Sequence, residues 1–305
     1  MVRFALGLVL TFCAPRMAWA IVLEVGPGMP FAQPSTAIAK ARDGDTVRVH
    51  PGVYVDCATI AQNNLTLEGV GGTVTMRDKT CGGKAILVVT GPNVTIRGLT
   101  LANAKVPDQN GAGIRAEGGA LLVQNTQFLN NQEGILSSNA AGSSIRIVNS
   151  VFIGNGICNS SCAHGVYAGQ IASLRIEHSR FFRQMQGHHI KSRATRTEIV
   201  GCDIADGPDG TASVSIDIPS GGTVLIQQNT IEKGPKSPNW ANTIMIAAEG
   251  ASNRPGPIVV QNNRLTNDDG HRTTFVHNFG TVPAALTGNT FVGQVQPLLG
   301  PGTVH

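Results

Sequence analysis

The chain has 305 residues, of which 14% are charged and 5% aromatic, and a formal net charge of +4 at pH 7. It contains no lysine-rich run with interleaved aromatic residues, which argues against nucleic acid as a partner. The 37 glycines and the many Asn, Thr, Val and Ile residues favour numerous short strands with tight turns rather than helices. So mild a charge neither favours nor excludes a polyanionic ligand.

Residues 1–20 resemble a secretory signal peptide. Arg3 precedes the apolar run "FALGLVLTF", and Ala18 and Ala20 place small residues at the cleavage positions. This run is too short to span a bilayer, and no later apolar stretch approaches its length. We therefore expect export to the periplasm or the extracellular space, with no membrane span in the mature protein.

Three apolar columns recur through most of the chain. The landmarks Gly98, Asn125, Asn149, His178, Gly201, Gln228, Asn262 and Gly288 follow one another at intervals of 23 to 34 residues by subtraction. Aliphatic residues stand two positions before every landmark, and apolar residues stand three positions after it. The third column lies four positions before the landmark and is apolar except at Thr197. Spacing of two predicts strands, and the longer period predicts stacked coils about 4.8 Å apart. Asn and Gly at the landmarks favour turns over sugar contacts, because both tolerate left-handed backbone.

A second strand is predicted between successive landmarks. Its inward residues are Ile114, Ile135, Val166, Ile190, Ile216, Ile244 and Val276. The residues that follow them point outward on successive rungs: Arg115, Leu136, Tyr167, Lys191, Asp217, Met245 and His277.

We expect one domain over residues 21–295. A short helix around residues 37–41 is expected to cap the open N-terminal end of the core, which would prevent end-to-end strand pairing. Residues 296–305 contain Pro and Gly and are interpreted as a C-terminal tail. We expect a monomer.

Five cysteines follow the signal segment, and export would allow disulfides. Cys158 and Cys162 bracket a short Asn/Ser loop and are expected to pair, and Cys57 with Cys81 is a second possible pair. Cys202 is then a buried thiol. No two CxxC motifs occur, so a structural zinc site is not expected.

The segment Ala37–Tyr54, "AIAKARDGDTVRVHPGVY", resembles the N-terminal cap and first coil of pectin-lyase-like proteins. With the repeats, the resemblance covers roughly residues 22–295. It implies an all-β, right-handed parallel β-helix. It does not define an activity, because lyases, hydrolases, esterases, epimerases and non-catalytic proteins share this fold.

The segment His188–Cys202, "HHIKSRATRTEIVGC", is similar to part of polysaccharide lyase family six, the chondroitinase and alginate lyase group. The resemblance implies that Lys191 is a catalytic base. In that family an arginine stands one coil later, where this chain has Asp217. The family's calcium ligands have no clear match here, which leaves calcium as a possible cofactor.

The predicted geometry independently groups chemically useful residues. Alternation would place His189, Lys191 and Arg193 on one side of a strand, about 6.7 Å apart. Tyr167 and Asp217 would lie one rung, about 4.8 Å, on either side of Lys191. This set would supply a base, a proton donor, a guanidinium for a carboxylate and an orienting carboxylate.

Other residues are expected to bind substrate in the same groove: Arg115, His164, His188, Glu249 and His277. His164 and His188 are expected to stack, but without a third ligand they do not predict a metal site.

Three functions agree with these patterns. The first is a lyase or epimerase acting on an acidic, uronic-acid polysaccharide, with His189, Lys191, Tyr167 and Asp217 as catalytic residues. The second is a non-catalytic glycan-binding or envelope-structural protein, favoured by the absent arginine and the few aromatic residues. The third is a glycoside hydrolase, which needs two carboxylates across the groove. Asp217 is one candidate, and neither Asp206 nor Glu249 is an obvious second.

Overall fold

A computed structural model describes residues 19–159 and 161–305 of the chain. The signal-peptide prediction lies outside this part, apart from Trp19 and Ala20. The structure contains short strands, almost without helix, as the composition predicts. Within the described residues, no helix has both the length and the apolar character needed to cross a bilayer.

Residues 19–159 and 161–163 contain one short helix and seventeen strands. In chain order these are β1 (Val22–Val25), α1 (Pro34–Ile38), β2 (Thr46–Val49), β3 (Gly52–Tyr54), β4 (Ala58–Ile60), β5 (Thr66–Gly69), β6 (Val74–Arg77), β7 (Ala85–Val89), β8 (Asn93–Arg97), β9 (Thr100–Ala102), β10 (Ala112–Ala116), β11 (Ala120–Gln124), β12 (Gln127–Leu129), β13 (Glu133–Ser137), β14 (Ala140–Val148), β15 (Val151–Ile153), β16 (Ile157–Cys158) and β17 (Cys162–Ala163).

The second half continues with seventeen more strands. They are β18 (Val166–Ala168), β19 (Ile171–Glu177), β20 (Arg180–Phe182), β21 (His188–Ser192), β22 (Arg196–Val200), β23 (Asp203–Ala205), β24 (Val214–Ile218), β25 (Thr223–Gln227), β26 (Thr230–Lys233), β27 (Asn242–Ile246), β28 (Ile258–Gln261), β29 (Arg264–Asn267), β30 (Thr273–Asn278), β31 (Ala284–Thr287), β32 (Thr290–Val292), β33 (Val295–Leu299) and β34 (Gly302–Val304).

These strands form three long parallel sheets that wind together into a right-handed β-helix. Sheet 1 has the order β1-β2-β5-β8-β11-β14-β19-β22-β25-β28-β31-β34. Sheet 2 has the order β33-β30-β27-β24-β21-β18-β13-β10-β7-β4, and sheet 3 has the order β3-β6-β9-β12-β15-β20-β23-β26-β29-β32. Strands β16 and β17 form a separate antiparallel hairpin.

The predicted apolar columns form the core. Residues two positions before the landmarks are register partners on successive strands of sheet 1 and are all fully buried: Ile96, Val123, Ile147, Ile176, Ile199, Ile226, Val260 and Leu286. On sheet 3, Phe128, Phe152 and Phe181 stack with ring centroids 4.5 Å apart. Each coil thus buries its apolar face against like residues of the next coil.

The landmark residues make the sharp bends between sheets. All eight have positive φ angles, between 48° at His178 and 69° at Gly98. This conformation suits Gly and, among other residues, Asn most readily. The turn interpretation of the landmark asparagines is therefore confirmed.

Both ends of the helix extend beyond the predicted repeat. Helix α1 contacts β1, β2 and β4 and buries Ala37 and Ile38, whereas its action as a cap stays a prediction. At the other end, residues 296–305 do not form the expected tail, because β33 pairs with β30 and β34 pairs with β31. Pro297 fits within β33 because this strand is the edge of sheet 2.

Candidate functional site

The outward residues of sheet 2 form the ladder that the sequence predicts. Consecutive register partners are Arg115, Leu136, Tyr167, Lys191, Asp217, Met245 and His277. Lys191 therefore lies one rung from Tyr167 and one rung from Asp217. Parallel pairing without a register shift on these strands brings together residues that are 24 to 26 positions apart in the chain, by subtraction.

The ammonium of Lys191 lies between two carboxylates and an aromatic ring. Its Nζ donates to Glu249 Oε1 at 2.9 Å and lies 3.4 Å from Asp217 Oδ2. The same nitrogen is 5.9 Å from the centre of the Tyr167 ring. Only 13% of the Lys191 side chain is exposed, so these contacts fix its position.

Arg193 stands beside Lys191 and contacts the same carboxylate. Its Nε donates to the Tyr167 hydroxyl at 3.0 Å, and its Nη2 donates to Glu249 Oε2. The Glu249 carboxylate thus bridges Lys191 and Arg193 through its two oxygens. Hydrogen bonds from Arg193 lower the pKa of Glu249, burial opposes this effect, and Lys191 lowers the pKa further.

Asp217 is the buried carboxylate of the cluster. It is 4% exposed, and its Oδ1 has no hydrogen-bond partner among the described residues. Burial raises the pKa of Asp217, although Lys191 pulls it back. The ionised form of Asp217 is thus more costly here than in water, and the protonated form is favoured accordingly.

His164 and His188 form a stacked pair next to this carboxylate, as the sequence predicts. Their ring centroids are 4.8 Å apart, and the backbone N–H of His188 donates to Nδ1 of His164. His188 Nε2 lies 3.6 Å from Asp217 Oδ2. Burial lowers the pKa of His188 to about 3, with Lys191 adding to the effect, and burial likewise lowers the pKa of His164. Both rings are therefore neutral at pH 7.

His189 does not lie beside Lys191. The predicted grouping of His189, Lys191 and Arg193 is therefore wrong for His189. His189 is 1% exposed, and its Nε2 is 2.9 Å from Asp206 Oδ1. Two successive residues, His189 and Ile190, are both buried at the start of β21, so the simple alternation fails there. Asp206 is also 1% exposed, and its carboxylate contacts His189 and the backbone N–H of Gly234. It is therefore not available as a second carboxylate beside Asp217.

A groove of about 410 Å³ lies farther towards the N-terminal end of sheet 2. Arg115, Glu133 and Tyr167 contribute to its wall. Glu133 is 1% exposed, and its burial raises its pKa well above the usual range, against the lowering effects of a backbone hydrogen bond from His164 and of the Arg115 and Lys191 charges. Sequence analysis missed Glu133. Its only signal is an acidic residue immediately before the apolar stretch "GIL", at the first position of β13.

The described residues contain five buried side-chain polar atoms that lack a hydrogen-bond partner, and all five lie on four strands of sheet 2. They are Arg115 Nε, Glu133 Oε2, His188 Nδ1, Ser215 Oγ and Asp217 Oδ1. Such atoms are costly to bury, and native proteins contain few of them. Their concentration next to Lys191 therefore marks this face as a candidate functional site.

The remaining predicted residues lie outside this cluster. His277 lies two rungs beyond Asp217, stacks on Phe279 and donates from Nδ1 to Asn242 Oδ1 at 2.8 Å. In residues 19–159 and 161–305, no three His, Cys, Asp or Glu side chains group closely enough to hold a metal ion.

Two disulfides are present in the described part of the chain. Cys57 is bonded to Cys81, and Cys158 is bonded to Cys162 across the β16–β17 hairpin. Cys202 is a buried free thiol whose pKa is raised to about 11 by burial. A thiol in this state is a poor nucleophile, which fits the structural role predicted for it.

The fold is shared with proteins of known structure. A protein of Geobacillus virus E2, ORF18, is 12% identical, with a TM-score of 0.59 over 92% of this chain, and the chain spans 59% of that protein's length. Pectate lyase Pel9A is 14% identical, with a TM-score of 0.58 over 92% of this chain and 79% of the lyase. An alginate lyase from Paenibacillus sp. str. FPU-7 is 17% identical, with a TM-score of 0.52 over 91% of this chain and 99% of the lyase.

No protein-family model matches the chain, and neither does any curated protein. At these identities the structural matches establish a common fold and leave the activity to be argued from the site. The chain is therefore a parallel β-helix of the architecture found in pectate lyase and alginate lyase.

Proposed function

We propose that this protein acts on an acidic polysaccharide as a lyase or epimerase, with Lys191 as the base that removes the proton next to a uronate carboxylate. The observation that best supports this proposal is the position of the Glu249 carboxylate. This carboxylate contacts Lys191 Nζ through one oxygen and Arg193 Nη2 through the other. The cluster is thus complementary to a carboxylate group, and 47% of the Glu249 side chain is exposed and replaceable.

In this proposal the substrate carboxylate takes the place of Glu249 on Arg193. Arginine suits this role because its planar fork binds carboxylates through two parallel hydrogen bonds. Displacement of Glu249 also breaks its 2.9 Å hydrogen bond with Lys191 Nζ, which leaves this nitrogen free to approach the substrate. In its neutral form, Lys191 can then accept the proton.

Proton removal turns the uronate carboxylate into an enolate-like group with additional negative charge. Arg193 already lies at this position and is held by the Tyr167 hydroxyl, so it needs little reorganisation as the charge develops. In a lyase, the glycosidic C–O bond at the next carbon then breaks, a carbon–carbon double bond forms, and the leaving oxygen takes up a proton. In an epimerase, a proton returns on the opposite face of the sugar.

Two groups next to Lys191 are suited to donate that proton. Asp217 lies in the place of the arginine of family six, and its burial raises its pKa, which brings the carboxyl group closer to the protonated form that a donor needs. The Tyr167 hydroxyl is the alternative donor, on the other side of Lys191. The likeness to an alginate lyase and a pectate lyase supports a carbohydrate-active role, and the predicted signal peptide supports a polymer outside the cytoplasm.

A non-catalytic glycan-binding protein is the second candidate. The observation that favours it is the double contact of Lys191 with Glu249 and Asp217, since two neighbouring anions favour an ammonium ion. In that case Lys191 and Arg193 would bind uronate carboxylates without proton transfer.

The experiment is a turnover assay on alginate, pectate, glycosaminoglycans and bacterial exopolysaccharides, each with calcium and with EDTA. Absorbance of unsaturated uronates identifies a lyase, and exchange of solvent hydrogen without absorbance identifies an epimerase. Lys191→Ala should lower turnover by a factor of about 100 or more, the usual contribution of a positioned base. Lys236→Ala is the matched control, because Lys236 is exposed and pairs with Asp209.

The outcomes separate the candidates. Binding of a uronate polymer without turnover selects the glycan-binding protein, and new reducing ends without absorbance select a hydrolase. A Lys191→Ala protein that retains full turnover would contradict the proposed role of Lys191.

A further inference from the structure

The groove next to Arg115 begins at Tyr167, one rung from Lys191, and Arg115 itself lies three rungs from Lys191. Leu136 and Tyr167 are the intervening rungs, so the separation along the stack is about 14 Å at 4.8 Å per rung. The groove has a volume of about 410 Å³, and Ser161 and Cys162 of the disulfide-bonded hairpin form part of its wall.

Two buried polar atoms on this wall lack a hydrogen bond among the residues that the structure describes, Oε2 of Glu133 and Nε of Arg115. Arg115 Nε lies 3.3 Å from Glu117 Oε1, an ionic contact without hydrogen-bond geometry, and Glu117 also accepts from Lys84. The guanidinium retains further donors, since it carries five N–H groups.

Burial favours the neutral, protonated form of Glu133, as its raised pKa indicates. A protonated carboxyl group has an O–H that can donate, which an ionised carboxylate lacks. Arg115 and Glu133 therefore present a cation and a neutral donor on one wall. The ligand that suits both is an anion with hydrogen-bond acceptors, and the intervening Tyr167 ring offers an apolar face to a sugar.

We propose that the groove formed by Arg115, Glu133 and Tyr167 is a second carboxylate-binding subsite, which seats another uronate unit of the same polysaccharide chain that is bound at Lys191. This inference rests on the proposed function. It specifies in addition that the polymer runs along the stack axis and that the protein recognises an acidic oligosaccharide rather than a single sugar.

The test is calorimetric binding of the tetrasaccharides and disaccharides of galacturonate, mannuronate and a glucuronate-containing glycosaminoglycan. For the tetrasaccharide that binds most tightly, Arg115→Gln and Glu133→Leu should each raise Kd about tenfold, equivalent to one charge-assisted hydrogen bond. Glu133→Gln keeps an N–H donor and should raise Kd less than about threefold. Arg180→Gln is the control, because this exposed arginine lies on sheet 3.

The disaccharides provide the second readout. They are too short to reach both Lys191 and Arg115. A disaccharide that binds at Lys191 should therefore have the same Kd for Arg115→Gln as for the wild type. Circular dichroism establishes whether each variant is folded. If Glu133→Leu does not fold, the Kd values of Arg115→Gln and Glu133→Gln still test the subsite.

The subsite is overturned if the wild type binds none of the tetrasaccharides, or if Arg115→Gln binds its tetrasaccharide as tightly as the wild type does. Failure of the proposed function gives a different result. In that case Arg115→Gln weakens tetrasaccharide binding while the wild type forms no unsaturated product and exchanges no hydrogen.

Discussion

Replacement of Glu133 by Gln should stabilise the protein increasingly as the pH rises. Glu133 is fully buried in sheet 2, and burial raises its pKa well above the usual value of 4.5. Above pH 4.5 the unfolded chain releases the proton of this group while the folded protein keeps it. The free energy of unfolding of the wild type therefore falls with pH until the pH reaches the pKa of the folded state.

The magnitude follows from one proton. Where Glu133 is protonated in the folded state and ionised in the unfolded state, each pH unit costs about 1.4 kcal/mol. Glu133→Gln removes this pH-dependent loss of unfolding free energy, because glutamine does not ionise. The stability difference between variant and wild type should therefore grow by about 1 kcal/mol from pH 5 to pH 6, where ionisation of the unfolded chain is nearly complete.

The assay is urea denaturation followed by circular dichroism at pH 5, 6 and 7. His164 and His188 also titrate on unfolding, but they are present in both proteins and cancel in the difference. Glu198→Gln is the matched control. Burial opposes ionisation of Glu198, yet hydrogen bonds from Arg175 and Arg196 lower its pKa, so its ionised form is stabilised. The difference in unfolding free energy between Glu198→Gln and the wild type should therefore not vary from pH 5 to pH 7. A Glu133→Gln difference that is equally constant would show that Glu133 is ionised in the folded protein.

Three further predictions concern the core, the hairpin and the site. Ile147→Asp should abolish soluble expression, because it buries an unpaired charge between coils, and normal yield in the soluble fraction would contradict this core position. Cys158→Ser with Cys162→Ser should lower the melting temperature only slightly, since the closed loop is short, and a calorimetric loss of more than about 3 kcal/mol would contradict this. Glu249→Ala should lower the KM of a uronate substrate several-fold, because no internal carboxylate then competes for Arg193, and an unchanged or raised KM would contradict the displacement model.

The fold was predictable because its signal repeats. A single apolar residue such as Ile147 says little, but eight aliphatic residues in one column leave few alternatives to stacked coils. The same periodicity correctly predicts that Tyr167, Lys191 and Asp217 are neighbouring rungs, since parallel pairing transfers register from coil to coil. Positions within the regular part of a strand are therefore reliable.

The errors occur where a strand begins or where a loop folds back. His189 lies two residues after Gly187, whose φ of 59° starts the bend into β21. His189 and Ile190 are then both buried, which breaks the alternation. The contact of Glu249 with Lys191 spans 58 positions and depends on a turn after β27, which no period describes. Glu133 is the first residue of β13, and its burial results from packing against neighbouring coils. None of these features follows from the repeat period.

The distribution of energetic costs separates the site from the rest of the surface. Exposed ion pairs contribute at most about 1 kcal/mol, so the contacts of Glu249 can be exchanged for those of a substrate at little cost. Buried polar atoms without partners are different, because each costs about 1 to 3 kcal/mol. Among the described residues these atoms occur only on sheet 2, in Arg115, Glu133, His188, Ser215 and Asp217. A ligand that supplies the missing hydrogen bonds would recover this cost, which is why an acidic sugar polymer along this face is the function that the structure supports best.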